Sequence, residues 1–174
     1  MLLPAGRAGA AESLIVRTYD TVGLGSTETT SARDAVGAIL RDAGLHLLWR
    51  DCAAGCADLP GSHEVLVRIV AAPKTAAAGS LGFAVVDIKQ GTGTLATVYA
   101  DRIKSIARRT GANAGRLIGR AIAHEIAHLL LGTSRHSAAG LMRARWSDRE
   151  VQRDLDPDWA LAPQDIAQLH RMLD

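Results

Sequence analysis

Aromatic side chains are scarce in this chain, which has one Phe, two Tyr and three Trp among 174 residues. An aromatic core is therefore excluded. Hydrophobic residues still make up 48% of the chain, so the interior must be assembled from Ala, Val, Ile and Leu, which suffices for one domain of this length. No apolar run approaches the ~20 residues of a membrane span. A strong excess of either charge is also missing, with 20 basic against 18 acidic residues and a net charge of +2. That balance offers no case for a nucleic-acid or membrane partner, although the isoelectric point is about 8.8. The arginines are scattered and read as solvated surface. There is no repeat, no low-complexity block and no linker long enough to divide the chain. Nothing marks an oligomer interface, so a monomer is the default.

Cysteine is nearly absent. Cys52 and Cys56 in "DCAAGCADLPG" are the only two. Three readings stay open: a small disulfide loop in an oxidising compartment, a ligand pair that lacks a second Cys pair or nearby His cluster, and two free thiols. The start, "MLLPAGRAGAAES", has no basic leader, and Pro4 cuts its apolar run short. It is not a complete signal peptide. Residues 1–12 read either as a flexible tail or as a signal remnant, since "RAGAAE" has the small residues of a cleavage region. Residues 13–174 read as a single domain.

The element order is legible from periodicity. "SLIVRTYD" (Ser13 to Asp20) reads as a first strand. Ser31 can cap a helix over Ala32 to Ala43, with Val36, Ile39, Leu40 and Ala43 as its apolar stripe and Gly44 as its stop. Further strands are expected at Leu45 to Trp49, Glu64 to Ala72 and Leu81 to Ile88. A fifth begins at Leu95 after a "QGTGT" turn and runs towards Ile103, and a short helix covers Ile103 to Arg109. A long helix follows from about Gly115 to Leu131, apolar over a wide face, with Gly132 as its stop. Two short helices are expected after it, one capped by Ser147 and one with Pro163 in its first turn. The fold class is α+β: a mixed, twisted sheet of about five strands packed on the long helix, followed by a small, mostly helical C-terminal part.

That long helix carries "HEIAHLLLGTSRHSAAGLM", from His124 to Met142. His124, Glu125 and His128 form H-E-x-x-H. Residues four apart lie on one helix face, so both imidazoles can point at one ion. Glu125 is rotated about 100° from His124 and need not ligate. It is placed to take a proton from a water whose pKa a zinc ion lowers to about 7. A chance H-E-x-x-H in this composition is expected roughly 0.01 times or less. Two His and a Glu on an otherwise apolar helix would also be costly without a partner.

A catalytic zinc usually takes three protein ligands. His136 is the favoured third, because Gly132 ends the helix and lets the chain turn back. Asp148, Glu150 and Asp154 are rival carboxylates on a following helix. His46, His63 and His170 read as surface or satisfied histidines. Tyr99 precedes the helix and reads as structural, although a Tyr beside a cleft can stabilise an oxyanion. Trp146 and Trp159 read as anchors of the C-terminal segment and as a wall for one side of a cleft.

These residues resemble the metzincin clan of zinc-dependent peptidases, whose pattern is H-E-x-x-H-x-x-G-x-x-H followed by a tight turn with a Met beneath the metal. The counterparts here are His124, Glu125, His128, Gly132, His136 and Met142, with "GLM" as the descent into the Met-turn. The alternative for Met142 is a core methionine. This chain has three residues, "LLL", where the family has two, and again three, "TSR", before His136. One added helical residue rotates the exit by about 100°. The string also resembles a bacterial group of metallopeptidase-like sequences typically carried on exported proteins. The resemblance implies a metzincin-like fold, with "LGFAVVDI" as a strand at the cleft edge that pairs with an extended peptide. It implies zinc held by His124, His128 and His136, Glu125 as general base, a peptide or protein substrate cut within the chain, and an exported location, periplasmic or extracellular, with a cytoplasmic one as the alternative. Two alternatives accompany that reading: a non-catalytic zinc- or peptide-binding module, and a zinc hydrolase with a carboxylate as third ligand.

Overall fold

A computed structural model of the chain describes residues 13–173. The stretch read as a tail or signal remnant, residues 1–12, lies outside the described residues. The elements follow as β1 (Ser13–Asp20), α1 (Ser26–Asp42), β2 (His46–Asp51), β3 (Glu64–Val70), β4 (Gly82–Asp87), β5 (Thr92–Tyr99), α2 (Ala100–Thr110), α3 (Ala114–Leu131), α4 (Asp148–Arg153), a 3-10 turn at Asp156–Asp158, and α5 (Pro163–Leu173). The fold is α+β, and its five strands are ordered β2-β1-β3-β5-β4. β2, β1, β3 and β5 run parallel, and β4 pairs antiparallel with β5 at the edge.

Alternation along the strands decides which face is covered. Val16, Val65, Val67, Ala96 and Val98 join Val36 and Leu40 of α1 and Leu117, Ile118 and Ile122 of α3 in one core. Ile122 is 1% exposed, and truncating it to Ala should cost about 2–5 kcal/mol. α3 has almost no solvent face, which is why its sequence is apolar nearly all round. It lies very close to α1. A Cβ on Gly119 would collide with the Ala32 carbonyl, and one on Gly115 would come within 2.6 Å of the Glu28 carbonyl.

That contact explains the first difference from the sequence reading. α1 starts at Ser26, not after Ser31, and Ser31 lies within it. The threonines of "STETTSAR" have poor helix propensity. Packing of Glu28 and Ser31 against α3 overrides it, and the Glu28 carboxylate accepts the Gly25 N–H at 3.3 Å. The second difference is at β5, which begins at Thr92 and ends at Tyr99. A bulge between Val85 and Val86 absorbs the early start. Beyond Tyr99 the buried positions are Ala100, Ile103 and Ala107, a helical spacing, and α2 therefore starts at Ala100.

Cys52 and Cys56 are joined in a disulfide. The loop after it folds back over the second face of the sheet. There Arg17, 2% exposed, donates to the Asp58 carbonyl at 2.8 Å and the Asp58 carboxylate at 2.8 Å, and forms an ion pair with Glu64. The reading of all arginines as solvated surface is therefore corrected at Arg17, Arg120 and Arg143, which are buried. Each lies beside a carboxylate that offsets its charge, namely Asp58 and Glu64, Asp154, and Glu150 respectively.

Candidate metal centre and cleft

His124, Glu125 and His128 sit in the second half of α3, all buried. The helix ends at Gly132 in the left-handed conformation, φ 59°. A Cβ there would also press on Gly91 of the β4–β5 turn, coming within 2.5 Å of its carbonyl oxygen. Glycine is thus required both for the turn and for the contact. After it, the Thr133 carbonyl accepts from His128 Nδ1 at 2.7 Å, and Thr133 Oγ1 accepts the Arg135 N–H at 3.1 Å. This short hydrogen-bonded loop brings His136 back. Its Nε2 lies 3.3 Å from His128 Nε2, which is itself 3.1 Å from His124 Nε2. The ligating atoms of the three residues all lie within 4.8 Å of one another.

The protonation of these rings follows from their other contacts. His124 Nδ1 faces the Leu141 carbonyl at 2.8 Å. A carbonyl oxygen only accepts, so Nδ1 of both His124 and His128 carries the proton, and each Nε2 presents a lone pair. Two lone pairs 3.1 Å apart are not a hydrogen bond; they repel unless a cation lies between them. Burial drives His124 down to about 4, with the neighbouring imidazoles pushing the same way and the Leu141 carbonyl opposing. Burial also lowers His128. Both are therefore neutral at pH 7, the form in which imidazole ligates a metal. The donor set suits a single cation.

Glu125 points elsewhere. Its carboxyl lies beside the first residue of β4, where a Cβ on Gly82 would meet Glu125 Oε1 at 3.0 Å and would collide with the Thr97 carbonyl. Burial alone raises its pKa to about 8. Among the described residues no donor reaches the carboxyl to oppose that shift.

Glu125, His124 and His136 line a cleft of about 590 Å³. One wall is the segment from Ala78 to Gly82, and the other runs from Arg143 to Trp146. A larger cavity of about 780 Å³ lies between α1, the start of α3 and Trp159, and no histidine lines it. Chemistry, not size, selects between the two. Trp146 sets its ring edge-on to His124 at 6.3 Å and to the buried Trp159 at 4.9 Å, as expected for an anchor. Tyr99 is 5% exposed, and the residues lining the cleft do not include it.

The rival carboxylates are occupied. Asp148 pairs with Arg109, Glu150 caps α4 through Ser147 and pairs with Arg143, and Asp154 pairs with Arg116 and Arg120. Among the described residues none of them joins the histidine cluster. His170 bonds the Ala43 carbonyl at 2.9 Å, a satisfied surface histidine. Met142 is 2% exposed, and its carbonyl accepts the N–H of Ser137 at 2.8 Å, closing the turn after His136. Sequence reasoning missed Gly82 and the Leu141 and Thr133 carbonyls. A backbone carbonyl carries no signal in a sequence. Gly82 carried only the general hint that a glycine inside a strand marks a close approach.

No protein-family model matches the chain, and no curated protein matches it. Among solved structures, the crystal structure of archaemetzincin from Methanopyrus kandleri aligns with 99% of this chain and 99% of its own, at TM-score 0.62 and 14% sequence identity. The fold is that of an archaemetzincin. The sheet ends in β4 as an edge strand that begins at the cleft, as the resemblance implied, and β4 runs antiparallel to its neighbour. At 14% identity the likeness is one of fold, and the chemistry of the site must be argued from this chain's own residues.

Proposed function

We propose that this chain is a zinc-dependent peptidase that cuts within polypeptides. The observation that carries the reading is the meeting of three imidazoles around one point, two of them with their lone pairs turned inward, beside a buried carboxyl that no donor reaches among the described residues. His124, His128 and His136 would hold the zinc. When bound, zinc supplies Lewis-acid polarisation of a carbonyl and lowers the pKa of water to about 7.

The rest falls to the chain. The Leu141 and Thr133 carbonyls orient the His124 and His128 rings and fix their tautomers, the usual work of outer partners. Glu125 takes the proton of the attacking water and passes it to the leaving amine. Burial by itself favours its protonated form, and a zinc ion held beside it would favour the carboxylate, the form that accepts a proton. Gly82 leaves room for that carboxyl. The free edge of β4 suits an extended peptide paired as an added strand, which supports cleavage within a chain.

The test is metal analysis of purified protein, with hydrolysis of an unstructured protein measured with and without chelator. About one zinc per chain and chelator-sensitive cleavage support the reading. Zinc without cleavage would make the domain a binding module. No zinc would sink both.

A further inference from the structure

In the wall of the cleft opposite Arg143 to Trp146, Ser80 is the one residue among those described whose own side chain bonds the wall's backbone. That wall belongs to residues 71–81, which connect β3 to the edge strand β4. Within "AAPKTAAAGSL" the segment closes two turns, Ala76 N–H to the Pro73 carbonyl at 2.9 Å and Ser80 N–H to the Ala77 carbonyl at 3.2 Å. Ala76, Ala77, Ala78 and Gly79 offer no side chain able to lock it. Its shape is set from α2. Arg102 Nη1 donates to the Ala77 carbonyl at 2.6 Å and the Ser80 carbonyl at 2.7 Å, and Nη2 donates to the Ala76 carbonyl at 3.1 Å. Next to it, the Asp101 carboxylate accepts the Ala72 N–H at 2.8 Å. The guanidinium carbon lies 5.3 Å from the centre of the Tyr99 ring, and among the described residues no carboxylate forms an ion pair with it. Its charge is spent on backbone carbonyls.

We infer that Arg102 is a positioning residue for the substrate: by gathering three carbonyls of the connecting segment, it sets the wall of the cleft and the approach to the edge strand. The link to the site is short. Ser80 Oγ donates to the Gly82 carbonyl at 2.7 Å, Tyr99 N–H donates to the Leu81 carbonyl at 2.8 Å, and Gly82 lies against Glu125. A planar guanidinium with a fixed fork of donors can serve three carbonyls at once, whereas a Lys ammonium is a single flexible point. The inference rests on the peptidase reading for its consequence and on geometry alone for the clamp.

The experiment compares wild type, Arg102→Lys, Arg102→Ala and Arg109→Ala. Arg109 is on the same helix but pairs with the exposed Asp148, so it reports on helix charge alone. On an unstructured protein substrate, Arg102→Ala should raise KM roughly tenfold, with kcat within about twofold and zinc content unchanged, because a loosened wall costs positioning. Arg102→Lys should fall between it and wild type, and Arg109→Ala should match wild type. In parallel, amide hydrogen exchange should quicken over residues 71–82 in both Arg102 variants, with α3 unaffected. A fall in kcat and thermal midpoint at unchanged KM, or unaltered exchange over residues 71–82, would overturn the inference. If wild type holds no zinc and cuts nothing, the functional reading fails by itself, and the exchange measurement still decides whether Arg102 holds the segment.

Discussion

Two buried polar clusters in this molecule are finished in opposite ways. On one face of the sheet, Arg17 meets Asp58, Glu64 and two backbone carbonyls, leaving only Nε without a partner among the described residues. At the cleft, His124 and His128 turn lone pairs on each other, and Glu125 has no hydrogen-bond donor among the described residues. Burial of polar groups is unfavourable unless they are paired. The Arg17 cluster meets that condition with the chain's own atoms. In the histidine cluster the facing lone pairs find no donor among the described residues, and that donor set is compatible with a cation. The contrast separates a cluster closed by the chain's own atoms from one whose donor set suits a cation.

The largest expected effect breaks the histidine side chemically. Glu125→Gln should lower kcat/KM by about 10²–10⁴-fold, the range for loss of a general base, with zinc retained. Steady-state kinetics beside metal analysis would check it, and loss of zinc with activity would contradict the division of roles. Next, His136→Ala should weaken zinc binding by about 10²-fold or more, beyond what loss of an outer partner causes, while Glu150→Ala leaves it unchanged. Competition with a chelator of known affinity reads both. Equal loss in the two would return a carboxylate to the site. Zinc at 100 times its Kd should also stabilise the protein by about 2.7 kcal/mol.

The Arg17 side should respond in stability alone. Arg17→Met leaves Asp58 and Glu64 without their shared partner, so the thermal midpoint should fall further than in a variant of the exposed Arg50, with zinc per folded chain unchanged. The reverse ranking would show that the cluster contributes little.

A smaller effect concerns pH in metal-free protein. Burial raises Glu125 from 4.5 to about 8, so its contribution to stability is complete below about pH 4.5 and is lost as pH rises towards 8. Burial depresses His124 from 6.5 to about 4, so its contribution is present above pH 6.5 and is lost as pH falls towards 4. The two oppose each other between pH 4.5 and 6.5. From 6.5 to 8 Glu125 acts without that opposition, and metal-free stability should decline across this window. Urea unfolding of metal-free wild type and Glu125→Gln would show it, and an equal slope in the two would refute it.

The strands and the long helix were legible because each has a period of its own. Leu14 and Val16 alternate, and Leu117, Ile118, Ala121 and Ile122 recur at helical spacing. The first turns of α1 were not legible, because Thr27, Thr29 and Thr30 argue locally against helix and only contact with Gly115 and Gly119 outweighs them. The two cysteines, with three readings open, were decided by the turn that brings them together.

Within the candidate site the boundary runs through Gly132. Before it, the sequence by itself determined that two imidazoles four residues apart share a face, because helical rise and rotation are local and constant. Beyond it, the place of His136 depends on a left-handed turn seated on Gly91, on the Thr133 carbonyl at His128, and on the walls contributed by residues 78–82 and 143–146. Those are meetings of distant segments, and only the tertiary structure decided them, because no local periodicity records how far a chain turns after its helix ends.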